Sequence, residues 1–237
     1  MSSLNFWSCR NLSSLDGIQG APLEYLNISL SKVSDLSPLQ GAPLKTLVLG
    51  SQWGASPVKD LSPLGNMTSL ESLELRGTPV ENLSPLEGLS LTNLNLSGCE
   101  NITDISPLKG MPLTSIDVVG THVTDFSPLA GMPLPSLTLG RTDNYEIKDI
   151  SPLKDIPALR TLNLALTTLS DISPLAGLNL THLEMYKMPI RDLAPLQGMP
   201  LVSLNISACR YIKDISPLKG AQLNSLRIGG TQVADLS

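Results

Sequence analysis

Three cysteines, two histidines and a regular series of aspartates are the residues of this chain that could support catalysis or bind a metal. The cysteines are Cys9, Cys99 and Cys209, and the histidines are His122 and His182. Zinc sites and nucleophilic mechanisms both require two or more such groups within bonding distance of one another. What these residues can do therefore depends on the elements that position them.

The aspartates mark an internal repeat that runs through the whole chain. The pattern is Asp or Asn, an apolar residue, Ser or Ala, then Pro-Leu, and it recurs every 21 to 25 residues. It begins at Asp35, Asp60, Asn82, Asp104, Asp125, Asp149, Asp171, Asp192 and Asp214, and it starts again at Asp235. A fixed period of this size predicts a solenoid of stacked coils.

Each unit also contains an alternating apolar pair, as in the segment from Leu91 to Cys99. Alternation places both side chains of a pair on one face of a short strand. Eleven such pairs occur, from Leu4 and Phe6 to Leu226 and Ile228. The chain is therefore expected to contain about eleven coils, each with one strand.

The other half of each unit favours a single tight turn. In the unit that begins at Asp104, Ser106 suits the N-cap position and Pro107 suits the first helical position. Gly110 allows a left-handed exit, and Pro112 prevents the helix from continuing. Because only about one turn fits between these residues, a 3₁₀ turn is expected.

This pattern resembles bacterial leucine-rich repeat proteins, specifically the short repeats of internalins. Its Ser-Pro-Leu-x-Gly-x-Pro-Leu version is similar to repeat arrays in large bacterial multidomain proteins, some of which carry serine/threonine kinase domains. The resemblance implies a curved, right-handed leucine-rich repeat solenoid with a parallel β-sheet on its concave face and short 3₁₀ turns and loops on its convex face. We expect residues 1–237 to form one such domain, a segment of a longer array or of a larger protein.

In this register, the cysteines and aspartates lie too far apart to form a disulfide, a metal site or a catalytic site. The three cysteines fall at one position of coils 1, 5 and 10, so neighbouring cysteines lie roughly 19 Å and 24 Å apart at about 4.8 Å per strand. Those distances exclude a disulfide or a shared zinc ion, and they favour small buried thiols. One Asp per coil favours bonding to loop amides over calcium binding. We therefore predict no enzymatic activity, no cofactor and no metal site.

A cluster on the concave face is the first candidate for partner binding. Most outward positions there carry Ser, Thr or Asn, whereas coils 8 to 10 carry Asn163, His182, Glu184, Tyr186 and Asn205. Interfaces favour an aromatic anchor with polar neighbours, so Tyr186 with His182 and Glu184 is the expected centre of a protein-binding patch. The alternative is a solvated face without a ligand.

The rim of the solenoid offers a second candidate. Insertions lengthen coils 3 and 7, and they carry Trp53 and Tyr145 in a chain that is only 3% aromatic; Tyr211 lies on the same edge. Insertions in repeat proteins map to one face, which is often the binding face. The alternative is that these rings pack back over the edge of the solenoid.

Composition narrows the class of partner. The net charge of −5 disfavours nucleic acid, and neither a transmembrane run nor a signal peptide is present in the sequence. We predict a protein–protein recognition or scaffolding module whose uncapped ends allow self-association, and we assign it no compartment. The alternatives are a sensory segment of a larger enzyme such as a serine/threonine kinase, or an internalin-like secreted adhesin or effector.

Overall fold

The computed structural model describes residues 2–140 and 147–235. The chain divides into two compact units, Met1–Pro128 and Leu129–Ser237. Each unit is a stack of similar coils, and each complete coil consists of a three-residue strand, a loop, one 3₁₀ turn and a return segment. This is the architecture of a leucine-rich repeat solenoid, as the sequence predicts.

The strands of each unit form a parallel ladder with adjacent coils in register. The first unit contains β1 (Ser3–Asn5), β2 (Tyr25–Asn27), β3 (Thr46–Val48), β4 (Gly50–Ser51), β5 (Gly54–Ala55), β6 (Ser72–Glu74), β7 (Asn93–Asn95) and β8 (Ser115–Asp117). The second contains β9 (Ser136–Thr138), β10 (Thr161–Asn163), β11 (His182–Glu184), β12 (Ser203–Asn205) and β13 (Ser225–Arg227). β4 and β5 form a separate antiparallel hairpin, so the eleven repeat strands comprise a six-stranded and a five-stranded sheet.

The turns are 3₁₀ helices, which confirms the expectation of a single tight turn in each coil. They are η1 (Asp16–Ile18), η2 (Ser37–Leu39), η3 (Ser62–Leu64), η4 (Ser84–Leu86), η5 (Ser106–Leu108), η6 (Ser127–Leu129), η7 (Ser151–Asp155), η8 (Ser173–Leu175), η9 (Ala194–Leu196) and η10 (Ser216–Leu218). None of the helices in the described ranges is long and apolar enough to span a membrane.

The N-cap assignment of Ser106 is wrong. Ser106 is the first residue of η5, and the residue before it, Ile105, makes no side-chain cap. Instead, the Asp104 carboxylate accepts the Ser106 backbone N–H at 2.7 Å and the Ser106 hydroxyl at 2.9 Å. A carboxylate two residues earlier reaches both donors, so the capping function belongs to Asp104. The predicted bonding of the aspartates to loop amides is thereby confirmed.

Alternation along each strand divides core from surface. The middle residue of β2 to β12, apart from the β4–β5 hairpin, is buried, and so is Leu108 on the turn of coil 5. The first and third residues of each repeat strand point away from this core. We call the surface formed by these first and third residues the sheet face.

Candidate functional site

The three cysteines are unpaired thiols, as the register predicts. Cys99 and Cys209 are buried, and their Sγ atoms donate to the carbonyl oxygens of Leu75 at 3.1 Å and Met185 at 3.0 Å. Burial raises the pKa of both thiols. Because the thiolate is the reactive form, these two cysteines are structural residues. Cys9 is exposed.

Within residues 2–140 and 147–235, no three His, Cys, Asp or Glu side chains converge on a point where a metal ion could sit. His182 Nδ1 lies 3.0 Å from the hydroxyl of Thr181, its neighbour in sequence. This contact orients the imidazole ring on the sheet face. The same hydroxyl donates to the backbone carbonyl oxygen of Arg160 at 3.2 Å.

Five of the predicted partner-binding residues come together in the second unit. Asn163, Glu184 and Asn205 are paired across β10, β11 and β12, and His182 begins β11. Neighbouring strands lie about 4.8 Å apart, so these side chains form one continuous surface. Tyr186 follows β11 after one buried residue, Met185. We call these five residues the coil-9 patch.

The two asparagines of the coil-9 patch also form hydrogen bonds that stabilise the local structure. Asn163 Oδ1 accepts the backbone N–H of Ala165 at 2.9 Å, and Asn205 Oδ1 accepts that of Ser207 at 3.0 Å. The Asn205 amide donates its Nδ2 hydrogen to Glu184 Oε2 at 2.8 Å. The asparagines therefore fix the chain after each strand and orient the Glu184 carboxylate.

Tyr186 presents an exposed ring on a fixed backbone. The residue is 41% exposed, and its carbonyl oxygen accepts the backbone N–H of Leu166 at 2.9 Å. The next residue, Lys187, has a left-handed φ of 59° and donates its N–H to Ser207. Because the backbone is held on both sides, the ring needs little ordering to serve as an anchor.

The rim candidates occupy different environments. Tyr211 is 46% exposed, and the Arg191 guanidinium stacks over its ring at 4.2 Å from the centroid, a cation–π contact. Trp53 belongs to the first unit, where it lies between β4 and β5 of the hairpin and is 70% exposed. The alternative that the Trp53 ring packs over the edge is therefore wrong. Tyr145 lies outside the described residues.

Sequence reasoning missed an exposed aromatic ring in coil 1. Trp7 is 51% exposed, and its backbone N–H donates to Asn5 Oδ1 at 2.9 Å. It directly follows Phe6, the second residue of an apolar pair, just as Tyr186 follows Met185. Aligning the coils at this position would have identified Trp7.

A second omission is a depression of about 270 Å³ on the sheet face of the first unit. Its polar lining residues are Ser72, Glu74, Asn93, Asn95, Ser115 and Asp117. Burial raises the pKa of Glu74, and the charge of Asp117 adds to the rise, whereas the Arg76 backbone N–H, the Asn95 side chain and the Arg76 charge oppose it. Glu74 occupies the same register position as Glu184 of the coil-9 patch. Aligning the coils at this position would have pointed to this site.

Comparison with known proteins supports the leucine-rich repeat fold. An internalin (inlF) from Listeria monocytogenes str. 4b F2365 aligns with 100% of this chain and 69% of its own, at a TM-score of 0.86 and 30% identity. The ectodomain of the Arabidopsis thaliana receptor kinase GASSHO1/SCHENGEN3, solved in complex with CASPARIAN STRIP INTEGRITY FACTOR 2, aligns with 98% of this chain and 30% of its own, with a TM-score of 0.62 and 16% identity.

The Drosophila Toll–Spatzle complex aligns with 97% of this chain and 36% of that chain, with a TM-score of 0.62 and 14% identity. At such low identity, the Toll and plant receptor structures show the fold alone. No protein-family model and no curated protein matches the chain. The identity and coverage of the inlF match, together with the repeat register, show that this chain belongs to the internalin-like leucine-rich repeat proteins of bacteria.

Proposed function

We propose that this chain is a non-enzymatic module that recognises another protein through its sheet face and the adjoining loop edge. The observation that carries the proposal is the coil-9 patch. There, an exposed tyrosine ring on a fixed backbone lies beside an oriented carboxylate and an oriented imidazole. Such a combination suits a buried aromatic anchor surrounded by polar contacts.

The fold is well suited to this use. A parallel ladder fixes the backbone of each coil against its neighbours, so residues of the sheet face can vary without disturbing the core. Two proteins that share the fold, the plant receptor ectodomain and Toll, are found in complex with CASPARIAN STRIP INTEGRITY FACTOR 2 and Spatzle. These complexes support protein recognition as the general role, whereas the partner of this chain must be sought directly.

The test compares the wild-type chain with two variants. Tyr186→Ala removes the proposed anchor, and Gln197→Ala changes an exposed residue that follows η9, away from the strands. Proteins captured from the source bacterium by the wild type are identified by mass spectrometry. Their affinities for all three chains are then measured with purified components by calorimetry.

Loss of an aromatic anchor typically costs about 2 kcal/mol or more, so Tyr186→Ala should weaken binding by tenfold or more. Gln197→Ala should bind like the wild type, and both variants should melt like the wild type. The proposal fails if every purified partner binds Tyr186→Ala as tightly as it binds Gln197→Ala.

A further inference from the structure

The depression on the sheet face of the first unit has enough volume to hold part of a side chain. It crosses β6, β7 and β8, and its volume of about 270 Å³ is several times the roughly 30 Å³ that one water occupies in the liquid. Six of its eight lining residues are polar, with Glu74 and Asp117 as the two charged residues. It therefore suits a polar or charged group from outside the chain.

One atom in this depression lacks a hydrogen-bond partner. Glu74 Oε1 is buried and accepts no hydrogen bond from any described residue. A buried carboxylate oxygen without a donor is costly, and such an atom in a folded protein calls for an explanation. Glu184, at the same register position in the second unit, has no such buried unpaired oxygen, although it also has an asparagine beside it.

The missing donor should carry positive charge. The six repeat strands of the first unit contain no Lys or Arg, whereas Glu74 and Asp117 lie two strands apart across Asn95. The positive charge of Arg76 acts on Glu74, and its effect on the pKa is smaller than that of burial. A metal ion is a poor candidate, since the described residues contain no group of three suitable ligands.

We propose that this depression binds the side chain of an arginine from a protein partner, and that the Glu74 side chain turns so that Oε1, buried in the free chain, accepts a guanidinium N–H. A guanidinium carries five N–H donors in one plane, so it can satisfy Oε1 and still face the Asp117 carboxylate. It is also less strongly hydrated than an ammonium group, which lowers the cost of entering the depression. That the arginine belongs to a protein rests on the proposed function.

The binding should depend on pH through Glu74. The groups that act on this carboxyl are Asp117 on β8, the charge and backbone N–H of Arg76, and the side chain of Asn95 on β7. Because the folded pKa is raised above its ordinary 4.5, ionised Glu74 is lost as the pH falls through that higher value. Arginine affinity should fall over the same range.

The experiment titrates the ¹⁵N-labelled chain with N-acetyl-L-arginine amide and follows backbone amide shifts by NMR. N-acetyl-L-citrulline amide serves as the uncharged probe of nearly the same shape. Glu74→Gln removes the charge at the depression, and Glu87→Gln removes an exposed charge that follows η4 in the same unit, away from the strands. Neither substitution changes the length of the side chain.

We expect saturable shifts around Glu74, Asn95 and Asp117 with the arginine probe and none with citrulline. Affinity should fall at least tenfold in Glu74→Gln and remain unchanged in Glu87→Gln. The proposal is overturned if no saturable shifts occur at these residues, if citrulline binds equally, or if Glu74→Gln binds as the wild type does. Since the probe is a small molecule, this result is independent of the Tyr186→Ala test of partner binding.

Discussion

At the scale of single residues, aspartate organises each turn. The carboxylates of Asp35, Asp60, Asp104, Asp125, Asp149 and Asp214 each accept a backbone N–H and a hydroxyl from the serine two residues later. At Asp104 these hydrogen bonds, first from the backbone and then from the hydroxyl, hold the pKa below its ordinary value. Ionised Asp104 therefore favours the folded state.

Asp104→Ala should lower the melting temperature because the Ser106 N–H and hydroxyl both lose their acceptor. Asp104→Asn should lower it less, since Asn82 accepts the Ser84 N–H at the same position of coil 4. Since the lowered pKa contributes stability that is lost as the pH falls below about 4, the wild type and Asp104→Ala should converge in acid. Thermal melts at pH 7 and pH 3 check this, and an alanine variant more stable than the asparagine variant would contradict it.

Glu74 should show the opposite dependence on pH. Burial raises its pKa, so ionisation of this carboxyl costs folded stability as the pH rises through a value above 4.5. Glu74→Gln should therefore melt above the wild type at pH 7, and this advantage should shrink in acid. Melting curves across pH for this variant and for Glu184→Gln provide the measurement, and a Glu74→Gln variant that melts below the wild type at pH 7 would refute it.

At the scale of elements, the small core of each coil limits how much damage it can absorb. Leu108 on η5 is fully buried. Leu108→Ala should cost roughly 2–5 kcal/mol of unfolding free energy, because it leaves a cavity that the fixed neighbouring coils cannot close. Urea unfolding checks this, with Lys109→Ala, at the exposed position that follows, as the control. A loss below about 1 kcal/mol would show that the site collapses around the missing atoms.

The β4–β5 hairpin should be able to lose its aromatic ring without loss of stability. Trp53 is 70% exposed, and its only described polar contact is from its backbone N–H to Ser51 Oγ at 3.2 Å. Trp53→Ala keeps that contact, so its melting temperature should match that of the wild type. A fall of several degrees would mean that the ring packs in solution.

The sequence predicts the strands and turns well because the same residue pattern recurs in nearly every coil. Alternating leucines fix which strand residues are buried, and Ser-Pro followed by glycine fixes the 3₁₀ turn. The capping role was misassigned because Asp104 and Ser106 both favour helix starts, and only geometry shows that the carboxylate accepts the bonds. The sequence also could not predict the unpaired Glu74 oxygen. Glu74 and Glu184 both have an asparagine neighbour in the same register, yet only Glu74 has a buried oxygen without a donor.

At the scale of the whole molecule, the chain offers one buried thiol in each unit and one exposed thiol in coil 1. Cys99 lies in the first unit and Cys209 in the second, both buried, whereas Cys9 is exposed. A maleimide reagent should therefore label Cys9 first and reach Cys99 and Cys209 only when their units open. Peptide mass spectrometry of labelled samples checks the order, and early labelling of Cys99 or Cys209 in the native chain would contradict their burial.

The labelling rates of Cys99 and Cys209 can also measure the cooperativity of unfolding between the two units. If labelling rates at Cys99 and Cys209 rise together as urea is added, the units open in one transition. If one rate rises first, the units melt as separate blocks, and a partner that binds one block would protect that thiol alone. Because each unit contains a natural buried thiol, labelling can show, without an introduced cysteine, whether partner binding stabilises one unit or both.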